Sequence, residues 1–327
     1  MISNLELKQF RGLEHVRFEN LGRANLIIGG NNTGKTSILE ALVLLLGDSE
    51  QGENLPSIFR EPPSRSSENG FWPFVITGED PEKFEIRADN HSIAVVNKQH
   101  QLFIQRWDSD TNSSELLMNM SVSGWRPSIK NYFPKLKTAI VTTRHSDPAC
   151  VSEMYNQIAP LNPDNEAKLE ELLRAAVDPR LRRLRYAKPQ GTGVHLVYVD
   201  IGEGAMLPMT QFGQALIRTL QIYCEIFANR PKIILIDEIE NGLYHEGMED
   251  FWKGLMAVLE DQDVQLFATT HSRECMEAAQ KAASGMAGDP LRFMRLDRMV
   301  DDPSKIVGTT FGKREMETAI EFKTEMR

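Results

Sequence analysis

Cysteine is scarce in this chain: Cys150, Cys224 and Cys275 are the only three among 327 residues, and they are not spaced as metal ligands. This excludes a disulfide-stapled fold and a cysteine zinc site, and it points to a reducing compartment. Long apolar runs are missing too, since none approaches the roughly 20 residues needed to span a bilayer. The start, Met1-Ile-Ser-Asn-Leu-Glu-Leu-Lys, alternates like a strand and lacks the charged-then-apolar order of a signal peptide. Sustained heptads are absent, which excludes long coiled-coil arms. Positive charge is in deficit: 37 Lys and Arg against 46 Asp and Glu leave a formal net charge of −9. Broad coating of nucleic acid is therefore disfavoured, although a local basic patch remains open. With 41% apolar side chains and a mean hydropathy of −0.35, the chain reads as a cytoplasmic globular protein with a large core and no membrane segment.

Three short stretches carry the chemistry. The first, Gly29-Gly-Asn-Asn-Thr-Gly34-Lys35-Thr36, has the Gly-x-x-x-x-Gly-Lys-[Ser/Thr] pattern of a nucleotide phosphate loop. In that pattern backbone N–H groups wrap phosphate oxygens, the lysine reaches the β- and γ-phosphates, and the threonine hydroxyl binds Mg²⁺. Asn25–Ile28 reads as a buried strand entering the turn, and Lys35–Leu46 as a core helix leaving it. The turn thus opens a helix N-terminus, where anions bind. Candidate ATP contacts are Gly29, Asn31, Asn32, Thr33, Gly34, Lys35, Thr36 and Ser37.

The second stretch, Ile233-Ile-Leu-Ile236-Asp237-Glu238, is four apolar residues ending in two acids. A strand buried on both faces of a parallel sheet delivers such acids to its C-terminal edge, where ligands bind. There Asp237 is a candidate Mg²⁺ ligand together with Thr36, and Glu238 the candidate base that polarises water. The third, Val264-Gln-Leu-Phe267-Ala268-Thr269-Thr270-His271-Ser272, is another apolar strand ending in small polar residues and a histidine. Imidazole can donate a hydrogen bond to a γ-phosphate and register its presence.

The order of these three motifs resembles the ATP-binding-cassette ATPases, in which the position of His271 is the switch histidine. By that resemblance Ile239-Glu240-Asn241-Gly242-Leu243 is a D-loop and Asn241 contacts an opposite subunit. Phe10-Arg11-Gly12 is similar to a turn in RecF-like and SMC-like members whose arginine lies beside the nucleotide, which makes Arg11 a candidate contact. The signature segment departs from the usual Leu-Ser-Gly-Gly-Gln: Pro208-Met209-Thr210-Gln211-Phe212-Gly213-Gln214 matches it cleanly only at Gly213 and Gln214. A glycine at a helix N-terminus still lets backbone donors face a phosphate held by a second copy.

That departure, with Leu-Ile-Asp-Glu-Ile-Glu-Asn-Gly-Leu, Thr-Thr-His-Ser-Arg-Glu-Cys and the terminal Glu-Met-Arg, resembles the small prokaryotic AAA ATPases of cassette type, relatives of RecF and of the OLD ATPases. The resemblance implies an ATP-binding and ATP-hydrolysing switch subunit that forms a homodimer or higher oligomer around ATP and Mg²⁺. It also implies control of a separately encoded effector, such as a Toprim nuclease or a toxin, in anti-phage defence. Fewer than about 60 residues follow His271, too few for a nuclease domain of usual size. A RecF-like DNA repair ATPase and a non-hydrolysing ATP-dependent scaffold are the alternatives.

The expected fold is α/β of P-loop cassette type: a mostly parallel central sheet flanked by helices, an antiparallel β-subdomain and a helical lobe, all in one domain over 1–327. Residues 1–47 read as strands and phosphate loop, 71–107 as the β-subdomain, 108–206 as a helical, variable lobe, and 207–327 as the signature, Asp-Glu and histidine lobe. A Ser/Pro/Glu/Gly-rich loop is expected over 48–70, and Asp297, Asp301 and Asp302 read as loop residues. The basic run Arg174, Arg180, Arg182, Arg183, Arg185 and Lys188 reads either as a solvated helix face or as a docking surface for DNA or an acidic partner protein.

Overall fold

Sequence runs that are apolar on both sides end up in the middle of this molecule, where neither face of a strand meets water. A computed structural model describes residues 1–47, 58–59, 83–98, 101–108, 113–121, 136–142, 147–158, 163–188, 195–312 and 315. The 48–70 loop, apart from Ile58 and Phe59, and the terminal Glu-Met-Arg lie outside the described residues.

The central sheet joins β15 (Ile306–Phe311), β14 (Leu291–Arg298), β3 (Ala24–Gly29), β13 (Gln265–Thr269), β12 (Ile233–Ile236) and β8 (Thr138–Val141), in that order. All neighbours are parallel except the β14–β15 pair. Every residue of β3, β12 and β13 is buried. A six-stranded antiparallel sheet runs β2 (Leu13–Phe18), β1 (Leu5–Phe10), β4 (Lys83–Ala88), β5 (His91–Lys98), β6 (Gln101–Asp108) and β7 (Ser113–Ser121). A third, three-stranded sheet is built from β11 (Leu207–Pro208), β10 (Leu196–Asp200) and β9 (Arg183–Ala187).

Helix α1 (Lys35–Leu46) lies between the first two sheets, and all but one of its residues are buried. A helix that is apolar all round is stable only with protein on every side. Its core cluster combines Ile38, Leu42 and Leu45 with Leu7, Phe10 and Phe84 of the antiparallel sheet and with Ile27, Ile233 and Phe267 from one face of the central sheet. The opposite face, through Leu26, Ile28, Ile234 and Leu266, belongs to a second core. There it meets α2 (Pro148–Ile158), α3 (Pro163–Ala176), α4 (Gly213–Asn229), α5 (His245–Asp261) and α6 (Arg273–Ser284).

Several boundaries differ from the sequence reading. The first two strands pair with each other, and β1 pairs in turn with β4, so that Leu5, Leu7 and Phe10 join the core around α1. The antiparallel sheet continues past 107 through β7. Within 108–206, β8 belongs to the central sheet and β9 and β10 to the small sheet, so this stretch is mixed rather than helical. The basic run does not lie along a helix face. Arg174 ends α3, Arg180 and Arg182 stand in the following turn, and Arg183 and Arg185 alternate outward on β9 while Leu184 turns into the core. Asp297 lies in β14 rather than a loop, paired with Arg295 at 2.8 Å.

Two buried amides brace the central sheet. Gln265 on β13 accepts from the Ile2 N–H at 2.7 Å and donates to the Ile2 carbonyl at 2.7 Å and the Gly22 carbonyl at 2.8 Å. Asn25 on β3 donates to the Leu266 carbonyl at 3.0 Å and exchanges hydrogen bonds with Gly22. The Gln265 clasp fixes the start of the antiparallel sheet to the central one. Gln265→Leu keeps the volume but strands the backbone groups of Ile2, and should lower unfolding free energy by about 2 kcal/mol in urea titration. An unchanged midpoint would show that the clasp contributes nothing.

Candidate functional site

Because β3, β13 and β12 are adjacent and parallel, their C-terminal ends open on one edge of the central sheet. The phosphate-loop sequence follows β3, Asp237 and Glu238 follow β12, and His271 lies two residues beyond β13. The sheet thus brings together three motifs separated by most of the chain. Gly29 has φ 141°, and a Cβ there would run into the Leu296 carbonyl of the neighbouring β14. Asn32 and Gly34 adopt left-handed conformations at φ 58° and 92°. Thr33 closes the loop by donating to the Gly30 carbonyl at 2.9 Å. Arg298 pins it from outside, donating to the Asn32 carbonyl at 2.8 Å.

Lys35 is buried and donates to the carbonyls of Gly29 at 2.9 Å and Gly30 at 2.7 Å. Burial pulls its ammonium below the usual lysine range, and Asp237, Glu238 and Glu240 push it back up. Thr36 is half-buried on the first turn of α1, Ser37 is buried, and Asn31 and Asn32 are exposed. The N-terminus of α1 carries no side-chain cap and no acidic residue in its first turn.

Asp237 is only 9% exposed. The Thr269 hydroxyl donates to its Oδ1 at 2.7 Å and accepts the Glu238 N–H at 2.8 Å. Glu238, half-buried, sits at φ 49°, in the left-handed region that a glutamate seldom occupies. Such a backbone state costs of order 1–3 kcal/mol and persists only where surrounding contacts impose it. The Thr269 clasp is one such contact.

Arg218 on α4 is another, and sequence reasoning missed it. It is 3% exposed, and its two terminal nitrogens donate to the Thr142 carbonyl at 2.6 Å and the Asp237 carbonyl at 2.7 Å. Burial pushes its guanidinium down to about 10, against the upward pull of Asp237, Glu238 and Glu240, so it stays charged at neutral pH. One fork therefore ties the helix after Gly213 to the backbone just before Glu238. The available signal was a cation in the apolar stretch Ala215-Leu-Ile-Arg218-Thr-Leu.

Glu240 was also missed, although it lies in the Asp-Glu-Ile-Glu run. Its Oε1 accepts the His271 N–H at 2.7 Å, and its Oε2 is buried without a hydrogen-bond partner among the described residues. The His271 side chain itself is exposed. Asn241 is exposed too, and next to it Gly242 packs against Gln214, whose Cβ is 3.1 Å from where a Gly242 Cβ would stand. Gly213, at φ 77°, has open space where its own Cβ would be. Gly213 and Gln214 thus pack beside the D-loop segment of the same chain, and no described hydrogen bond joins them to the phosphate loop. Arg11 flanks α1, its Nε 2.7 Å from Glu40 Oε2 in an almost fully buried ion pair.

Comparison with known proteins bears on the family and the fold. The protein family described as AAA ATPase domain matches residues 1–171. A Helicobacter pylori protein named ATP/GTP phosphatase is 23% identical, with 85% of this chain and 87% of the relative covered. An uncharacterized Methanocaldococcus jannaschii protein is 46% identical over 61 residues, covering 19% of this chain and 28% of that relative. Among solved structures, an Smc head bound to the C-terminal winged-helix domain of ScpA has a TM-score of 0.55 at 12% identity, covering 97% of this chain and 99% of that one. The Pyrococcus furiosus Smc head with an extended coiled coil, bound to the C-terminal domain of ScpA, has 0.50 at 11%, covering 99% of each. At such identities the likeness is one of fold.

Arg218→Lys keeps the charge but loses the planar fork. The variant should melt at least about 2 °C below wild type, since one of the two buried carbonyls loses its charged donor. A lysine variant with an unchanged melting temperature would contradict this bracing role.

Proposed function

Since the chain belongs to the AAA ATPase domain family, with a fold like that of SMC heads, we propose that it binds and hydrolyses ATP as a switch subunit. Its two copies close around the nucleotide and control a separate effector, with anti-phage defence as the setting implied by the resemblance of its motifs. The observation that carries the hydrolytic part is the Thr269 clasp, which presents Asp237 and a left-handed Glu238 side by side at the edge where the phosphate-loop sequence ends. The name of the Helicobacter pylori relative, ATP/GTP phosphatase, supports the same reading.

The residues present fit the nucleotide and its metal. An uncapped helix N-terminus free of acidic side chains suits a polyphosphate. Among the described residues no group of three or more His, Cys, Asp or Glu is placed to hold a metal by itself. Thr36 and Asp237 alone suit Mg²⁺, which keeps several waters and takes few protein oxygens alongside phosphate. When bound, Mg²⁺ supplies charge neutralisation at the phosphate oxygens.

In this reading Lys35 exchanges its two loop carbonyls for phosphate oxygens. Glu238 accepts the proton of the attacking water, and the buried Asp237–Thr269 pair keeps it from swinging away. His271 reads the terminal phosphate, its backbone held by Glu240. Gly213 and Gln214 of a second copy offer helix N-terminal donors across the interface, and Asn241 lies on the same contact surface. Arg11 supports α1 through Glu40 and is released toward nucleotide only if that ion pair opens. The rival reading, a RecF-like ATPase loaded on DNA, draws on the arginines around β9.

Glu238→Gln should leave ATP affinity nearly intact and slow turnover by about two orders of magnitude or more, as for loss of a positioned proton acceptor. Lys35→Ala should instead weaken nucleotide binding, measured by fluorescent-ATP titration. Equal turnover in wild type and the Glu238 variant would remove Glu238 from the chemistry.

A further inference from the structure

The arginines after α3 are largely uncompensated on a chain whose net charge is −9. Arg174 uses its donors on the carbonyls of Leu181 at 2.6 Å and Arg182 at 3.3 Å, so its charge meets no carboxylate there. Among the described residues, Arg182, Arg183 and Arg185 have no carboxylate within ion-pairing distance. Arg180 differs: it binds both oxygens of Asp178, at 3.1 and 2.9 Å, and approaches Glu203 at 3.6 Å. Arg174, Arg180 and Arg182, with Pro179, Leu181 and Ile201, line a concavity of about 440 Å³. Gly202, at φ 83°, makes room for the Arg182 guanidinium, which a Cβ there would strike.

Beyond Arg182, which lines the concavity, Arg183 and Arg185 stand on the outer face of the small sheet. Arg183 and Arg185 stand opposite Asp200 and Tyr198 in register, and Tyr198 in turn faces Pro208. Asp200 turns its Oδ1 to the Gly202 N–H at 2.7 Å. Met206, just before β11, is exposed. The edge of β9 is shielded against strand addition at Leu184, whose N–H is taken by Glu170 Oε1 at 2.8 Å. A partner must therefore use the side chains of this face rather than its backbone.

We propose that this face docks an acidic segment of a partner protein, its carboxylates entering the arginine-lined concavity. The proposal rests on the switch-subunit reading, for which it names the surface that meets the effector. Guanidinium forks match carboxylates two bonds at a time, and arginine with tyrosine is the composition enriched at protein interfaces. Phosphate chains fit less well, because they need a cationic track. Here Asp178, Glu203 and Asp200 interrupt such a track.

The test uses the full-length protein with a short fluorescein-labelled polyglutamate peptide and a labelled DNA duplex, read by anisotropy, with ATP hydrolysis measured alongside. Wild type should bind the peptide, and the combined Arg182→Glu, Arg183→Glu, Arg185→Glu variant should bind it at least about tenfold more weakly. The corresponding triple lysine variant, with its charge kept and its forks lost, should bind about threefold more weakly or worse. Both variants should hydrolyse ATP as wild type does. No peptide binding by wild type, equal binding by the lysine variant, or tighter binding of the duplex lost on the same reversal would each overturn the proposal. Peptide binding by a wild type that does not hydrolyse ATP would sustain the docking surface and sink the switch reading instead.

Discussion

The placement of β13 between β3 and β12, parallel to both, is the constraint from which the rest follows. It lines up the three strand ends that carry the glycine-rich loop, the acidic pair and the histidine. It also sets Thr269 where one hydroxyl donates to Asp237 and accepts from Glu238. Backbone bonds continue the tie across the edge: Ile239 N–H to the Thr269 carbonyl at 3.0 Å, and Thr270 N–H to the Ile27 carbonyl at 3.2 Å. A buried hydroxyl satisfied in both directions is rigid, because either bond lost leaves a polar group without water. The unusual backbone of Glu238 can therefore be held through folding energy generated elsewhere.

Charge around this edge is arranged as a small network. Lys35 and Arg218 are both buried cations whose burial cost is offset by the same three carboxylates, Asp237, Glu238 and Glu240. Arg218 belongs to the helix that starts at Gly213, and Glu240 to the segment that holds the backbone of His271. A displacement of either segment alters the field and the hydrogen bonds at Glu238. In the proposed two-copy arrangement, this is the physical route by which contact at Gly213, Gln214 or Asn241 reaches Glu238 without a long chain of intermediates.

The sequence made β3, β12 and β13 legible because they are apolar on both faces and end in diagnostic residues, whereas β8, β14 and β15, buried only in part, did not stand out as strands of the central sheet. Ile233–Ile236 was readable to the residue, and α1 over Lys35–Leu46 likewise. The antiparallel sheet was visible only in part, since alternation identifies a strand but not its partner; nothing local says that Leu5–Phe10 pairs with Lys83–Ala88. The charge run misled as to element: arginines alternating about Leu184 suit an edge strand as well as a helix. Arg218, Thr269 and Gln265 were illegible as functional or structural ties because each acts on groups 19 to 263 residues away. Such bonds exist only once the sheet order is known.

In the proposed function a complete site needs two copies, one supplying Lys35, Asp237 and Glu238 and the other Gly213 and Gln214. The most direct measurement is the initial rate of ATP hydrolysis per protein molecule as total protein is varied over about three decades at saturating ATP, on both sides of the dimer dissociation constant. The specific rate should rise in proportion to protein at low concentration, reach a plateau, and lose that rise when Gly213 is replaced by a bulky residue. A specific rate that is constant across the whole range, from protein that light scattering shows to be monomeric throughout, would contradict it.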